Sequence, residues 1–188
     1  NIRLVELLSY EHPLLRRLAT EAPGTFQHCI SAAVLGSAAA EAIGAHALLV
    51  RVGTLYHDVG KLERPVFFTE NQRGLNPHDR LEPDESARLI RAHVPDGLAL
   101  IREHGIGEQI ADFVREHHGT GTMAFFAKRA EERGTPVDAA VFRYPGPRPR
   151  SRETAILMIA DQVEATARSM EDTTEADYAQ MVGRTIER

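Results

Sequence analysis

Asp161 follows the run Ala155-Ile156-Leu157-Met158-Ile159-Ala160, inside a segment from Ser151 to Met170 that is the most apolar helical stretch of the chain. A carboxylate on such a helix is costly to bury unless it is paired or bound to a metal. Any fold that packs this helix must therefore bring a partner to Asp161. The same demand recurs at His28, at the pair His57-Asp58, at His93 and at the pair His117-His118. Each lies on, or at the end of, a segment read as a buried helix. Taken singly, His28 reads as a satisfied core histidine, His93 as a helix-end residue and Asp161 as the partner of a buried arginine such as Arg51. Taken together, seven such groups on separate helices are best satisfied by converging, as ligands in helical bundles do.

Apolar periodicity is helical almost throughout and no neighbouring segments alternate with period two, so an all-α fold is expected. Phe26, Ile30, Ala33, Val34 and Ala38 mark a helix from Thr25 to Ile43, behind a leading helical segment over 1–22. Leu48, Val52 and Leu55 mark the next, which starts near Ala45 and ends at Gly60 as a left-handed stop. Residues 64–83 are polar and long enough for an active-site loop. Asp84 is expected to cap a helix carrying Ala87, Leu89, Ile90 and Val94, interrupted by Pro95, with His93 just before the break. A short helix over 98–103 follows, then one with Ile110, Phe113 and Val114, then Met123 to Arg133. The three prolines of 143–149 require an extended segment. A final amphipathic piece starts near Thr174. All 188 residues are read as one domain.

Composition narrows the chemistry. The net charge of −5 leaves no footprint for duplex DNA. The single cysteine, Cys29, excludes an internal disulfide and a thiolate metal cage, and fits a cytoplasmic setting. No apolar stretch approaches the roughly 18 residues that span a bilayer, and the start at Asn1 points to a piece of a longer protein. Nine histidines make a metal test necessary. Seven ligands are too many for one ion and suit two, and imidazole with carboxylate suits Mn, Fe, Co, Ni or Zn. Asp58 is the natural bridge between two ions. Lys61 is one of only two lysines and stands beside it, placed for a phosphate contact.

The set His28, His57-Asp58, His93, His117-His118 and Asp161 resembles the HD superfamily of metal-dependent phosphohydrolases. Further strings resemble one branch, the cytoplasmic domain of PgpH-type cyclic-di-AMP phosphodiesterases. They are Ala22-Pro23-Gly24-Thr25-Phe26, Leu55-Tyr56-His57-Asp58-Val59-Gly60-Lys61, Glu70-Asn71-Gln72, Asn76-Pro77-His78-Asp79, Glu116-His117-His118-Gly119-Thr120 and the run from Phe142 to Pro149. The resemblance implies an HD-domain helical bundle with a dinuclear centre in its core. One ion would be held by His28, His57, Asp58 and Asp161, the other by Asp58, His93, His117 and His118, with Mn or Fe preferred and Zn, Co or Ni as substitutes. It implies hydrolysis of cyclic di-AMP to linear pApA. On the residues themselves, a hydroxide bridging the metals is the expected nucleophile, with Asp58 and Lys61 catalytic; Lys61, His78, Arg143 and Tyr144 are expected at the substrate, the Tyr144 segment serving either as a rigid connector or as a ring that stacks on a nucleobase. The resemblance also implies a cytoplasmic domain tethered to the membrane by the parent protein; a homodimer is a further expectation.

Gln27 and Cys29 depart from the residues more usual beside His28, and neither replaces a ligand. The cyclic-di-GMP branch carries Gly-Tyr-Pro after the paired histidines, where this chain has Gly119-Thr120-Gly121-Thr122-Met123, which argues against that substrate. Two other readings compete: hydrolysis of a different cyclic dinucleotide or nucleotide, and a sensory module that binds nucleotide without turnover. A triphosphate would ask for more cationic residues than one lysine.

Overall fold

The computed structural model describes residues 3–134, 138–170 and 173–187. Asn1 lies outside them. Among the described residues the regular structure is helical: α1 (Pro13–Glu21), α2 (Pro23–Ala42), α3 (Ala47–Tyr56), α4 (Pro83–Arg91), α5 (His93–Glu103), α6 (Glu108–Glu116), α7 (Ala124–Glu132), α8 (Arg152–Arg168) and α9 (Glu175–Ile186). The only β-type pairing found there is one isolated bridge, Thr122 to Arg143.

The long, alanine-rich α2 runs between α3 and α8 and packs on both. Small side chains let those helices come close, so groups on their facing sides can meet. Leu14, Leu15 and Leu18 of α1, Cys29 and Ala33 of α2, Val52, Leu55 and Tyr56 of α3, Leu100 and Ile101 of α5 and Ile110 and Val114 of α6 form one buried cluster. Tyr56 is fully buried, and its hydroxyl donates to the Leu7 carbonyl at 3.0 Å, which satisfies it. A smaller cluster of Val50, Phe113, Ile156 and Leu157 joins α3, α6 and α8.

Several boundaries differ from the sequence expectation, each for a local reason. α2 opens at Pro23 rather than Thr25, because proline at the first helical position sacrifices an N–H that has no partner anyway. The same rule sets Pro83 at the start of α4 with Glu82, not Asp84, at the cap. Pro95 does not break a helix. It is the third residue of α5, where its missing N–H costs nothing, so His93 opens α5 instead of closing α4. α3 stops at Tyr56, and Gly60 sits in a 3₁₀ turn, Val59–Glu63, rather than in a left-handed stop. Its role is close approach: a Cβ there would stand 1.9 Å from the His93 carbonyl oxygen. The 64–83 loop is built from short 3₁₀ turns over 65–67, 69–71 and 77–80. Arg51 is exposed and does not serve Asp161.

Candidate metal centre

The seven histidine and aspartate positions come from α2, the end of α3, the junction of α4 and α5, the end of α6 and α8, and the fold brings them together. Helix ends do most of the orienting. An α-helix leaves its last four carbonyls without an internal partner, and three imidazoles use them. His57 Nδ1 donates to Thr54 O at 2.7 Å, His93 Nδ1 to Ile90 O at 2.6 Å and His117 Nδ1 to Val114 O at 2.9 Å. Each bond places a proton on Nδ1, because a carbonyl can only accept, and leaves Nε2 as the nitrogen turned toward a cation on the opposite side. His118 has no such bond. Its ring stacks on Tyr144, 4.0 Å between centroids at 24°, and meets the tilted ring of His117 at 3.9 Å.

Asp58 stands between two sets of these nitrogens. Its Oδ2 lies 3.2 Å from His57 Nε2 and 3.8 Å from His28 Nε2, whereas its Oδ1 lies 3.5 Å from His93 Nε2 and 3.7 Å from His117 Nε2. Asp161 Oδ1 adds to the first set, 2.9 Å from His28 Nε2 and 3.7 Å from His57 Nε2. The ligand atoms of His28, His57 and Asp58 all lie within 4.8 Å of one another, as do those of His93, His117 and His118.

These residues fit divalent cations. His57 Nε2 and Asp58 Oδ1 are buried without a hydrogen-bond partner, an expensive state for polar atoms that a shared cation relieves. The donors are imidazole nitrogen and carboxylate oxygen, which suits borderline metals.

Charge divides the cluster. Burial works against a proton on His28, but hydrogen bonds to Asp161 and Glu164 outweigh it and lift the pKa to about 10. Burial opposes a proton on His57 as well, and Asp58 beside it raises the pKa well above the ordinary value. Burial would push the Asp58 and Asp161 carboxyls up, yet His57 with Lys61 in the first case and His28 with His57 in the second hold them well below the carboxylate range. Across the site burial prevails: it lowers His93 and His118, and with the adjacent charged His57 it takes His117 down to about 3. Without metal, two imidazolium protons balance two carboxylates on one side, and the imidazoles on the other are neutral.

The remaining predicted residues lie in different places. Lys61 Nζ is 2.8 Å from Asp58 Oδ2 and 2.7 Å from Glu70 Oε1, and it lies over the Phe68 ring. Its charge is thus engaged by two carboxylates and fixes the orientation of Asp58. The His78 ring packs against Phe67 and Phe126, and its Nε2 donates to Phe67 O at 2.8 Å. None of those contacts is with the histidine cluster, so His78 holds the loop together. Tyr144 reaches the site through its stack on His118, and Arg143 next to it is exposed. Cys29 is buried, as expected of a small core residue, but its Sγ also approaches His57 Nδ1 at 3.8 Å.

Three acidic residues were given no role from the sequence, Glu70 and Glu116 entering only within the strings that carry the resemblance. Glu164 Oε2 meets His28 Nδ1; the i,i+3 spacing from Asp161 was the available signal. Glu70 joins Lys61 to Thr25 Oγ1, 2.9 Å away; the string Glu70-Asn71-Gln72 was the available signal, but it did not show which groups Glu70 joins. Glu116, immediately before the paired histidines, accepts from Arg150 N, Arg150 Nε and Thr154 Oγ1, tying the start of α8 to the end of α6.

A family model described as HD domain matches residues 25–166. A curated relative, cyclic-di-AMP phosphodiesterase PgpH of Bacillus subtilis (strain 168), is 47% identical over 170 residues, covering 90% of this chain and 24% of that protein. The protein of the same name from Listeria monocytogenes serotype 1/2a is 44% identical over 181 residues, 96% of this chain and 25% of its own length. The chain therefore spans about a quarter of the curated relatives it matches. The crystal structure of the L. monocytogenes phosphodiesterase PgpH HD domain superposes with a TM-score of 0.89 at 43% identity, covering 94% of this chain and 84% of that one. A second structure of that domain, in complex with cyclic-di-AMP, matches at the same TM-score of 0.89 and covers 82% of that chain.

Proposed function

This chain belongs to the HD-domain family, and from that premise we propose that it is a metal-dependent phosphodiesterase that hydrolyses cyclic di-AMP to linear pApA. The observation that carries the reading is Asp58, whose two oxygens face two different groups of histidine nitrogens. One divalent ion would be held by His28, His57, Asp58 and Asp161, and a second by Asp58, His93, His117 and His118; Mn and Fe suit these donors best, with Zn, Co and Ni as substitutes. Bound there, such ions supply Lewis-acid polarisation of the phosphodiester and lower the pKa of a coordinated water toward about 7.

In the reaction the oxygen of water bonds to one phosphorus, the bond from that phosphorus to the 3′ oxygen breaks, and the 3′ oxygen leaves with a proton. The residues of this chain prepare that exchange. Lys61 keeps Asp58 ionised and aimed, because its ammonium is bound to the carboxylate at 2.8 Å. It carries positive charge at the edge of the site, where negative charge develops on the phosphate. Tyr144 fixes the His118 ring and offers the edge of an aromatic surface to an adenine, with Arg143 beside it as an exposed cation for the second phosphate. His78 supports these contacts indirectly through the loop.

The substrate assignment is supported by the names of the relatives and by the nucleotide held in the related structure. No helix among the described residues is long and apolar enough to cross a membrane. We read the domain as the catalytic part of a longer membrane-tethered protein facing the cytoplasm, in line with its one free, buried cysteine.

The test is to load the protein with Mn²⁺ or Fe²⁺ and incubate it with cyclic di-AMP, cyclic di-GMP and deoxynucleoside triphosphates, separating the products by chromatography. Formation of pApA ahead of any other product is expected. Tight nucleotide binding without product in either metal would replace the enzyme with a sensory module.

A further inference from the structure

His57, His93 and His117 lie at helix ends and borrow free carbonyls, but His28 sits inside α2, where each carbonyl is already taken by the N–H four residues on. Its Nδ1 needs an acceptor from another helix, and Glu164 Oε2 provides it. Glu164 lies three residues after Asp161 on α8, so the two project from the same face one turn apart. Asp161 Oδ1 meets His28 Nε2 at 2.9 Å while Glu164 meets the other nitrogen, and one helix thus grips both sides of the ring. Glu164 cannot be a ligand to the cation that Nε2 faces, since it is on the opposite side of the imidazole. Arg168 Nη2 lies 3.6 Å from Glu164 Oε2, one turn further along the same helix.

We propose that Glu164 is a positioning residue of the metal centre, a carboxylate that accepts the Nδ1 proton of His28, fixes the rotation of its ring and increases its donor strength toward the cation in the His28–His57 half. Carboxylates that orient metal-bound histidines typically change metal affinity 10–100-fold. The inference rests on the metal-dependent reading above and assigns the affinity of one half of the site to a residue that holds no metal itself.

The experiment is calorimetric titration of Mn²⁺ into metal-stripped wild-type protein, Glu164→Ala and Glu164→Gln, with circular dichroism of the metal-free forms. Wild type is expected to take up two ions. Glu164→Ala should lose about 10–100-fold in affinity at one site and leave the other unchanged, with the same helix content. Glu164→Gln keeps an acceptor without the charge and should lie between the two. Wild-type affinities at both sites in Glu164→Gln and Glu164→Ala would overturn the proposal and leave the metal-dependent reading standing; equal losses at both sites would also overturn it, as a general effect on the fold. If Glu164→Ala does not fold, Glu164→Gln decides alone, and wild-type binding by it overturns the proposal. No uptake by wild type would overturn both the proposal and the reading beneath it.

Discussion

Two carboxylate oxygens on a single residue join the halves of this site, so Asp58 has no conservative replacement. Asp58→Asn keeps the shape but makes one of the two acceptors an NH₂, and turnover should drop to background with helix content retained; His57→Ala should behave alike, and full activity of either in saturating Mn²⁺ would refute the assignment. Lys61→Ala should act mainly on kcat, because the lysine aims Asp58 at 2.8 Å, and steady-state kinetics that leave kcat unchanged would remove that role. Protonation has a definite sign. His28 holds its proton up to a pKa of about 10 and His57 is raised as well, so at neutral pH a cation must displace both. Metal binding should therefore release protons and weaken as pH falls, which titrations in buffers of different ionisation enthalpy will detect. Folding without metal follows the opposite sense on the histidine side. The His28 proton stabilises the metal-free protein fully below its ordinary pKa of 6.5, and this contribution is lost as pH rises toward about 10, so the urea midpoint of the stripped protein should fall between pH 7 and pH 9.

At the level of elements, the 3₁₀ turn Val59–Glu63 is seated on the first turn of α5, and that contact puts Asp58 beside His93. Gly60 permits it. A methyl there would meet the His93 carbonyl oxygen at 1.9 Å, which is far inside contact distance. Gly60→Ala should cost at least about 1–3 kcal/mol, the usual range for overpacking, and should weaken metal binding by moving Asp58 away from His93. Thermal melting with and without Mn²⁺ tests both parts, and a wild-type profile would show that the turn is free to shift. The loop over 64–83 is fastened from the other side. Asn71 accepts from Thr25 N at 3.1 Å and Glu70 joins Thr25 to Lys61, so the loop, the start of α2 and the metal site form one hydrogen-bonded unit. Read as a bare polar stretch, the loop gives no hint of its bonds to Thr25, which is more than forty residues away.

For the molecule as a whole, a cation that binds only the folded state must stabilise it. At a free Mn²⁺ concentration a hundred times Kd the gain is about 2.7 kcal/mol, and for a chain of this size that raises Tm by roughly 5–10 °C. Chelation should reverse the shift, and a Tm indifferent to both would contradict a metal held in the core. The amino-acid sequence by itself determined the helical class, through the apolar period, and marked seven groups as candidate ligands, through the cost of burying histidine and aspartate on apolar helices. Both are local or compositional properties. It misjudged Pro95 and Gly60 because a proline in a first turn and one in a helix break look alike until the neighbouring helix is known, and because a glycine kept for close approach looks like one kept for its dihedral freedom. Only the tertiary structure decided which nitrogen faces which oxygen, that Lys61 is already paired, that His78 serves the loop, and that Glu164 lies against His28 at a separation of 136 residues. Hydrogen bonds and metal ligation are made across a few ångströms of space, and distance along the chain carries no record of that until the helices have packed.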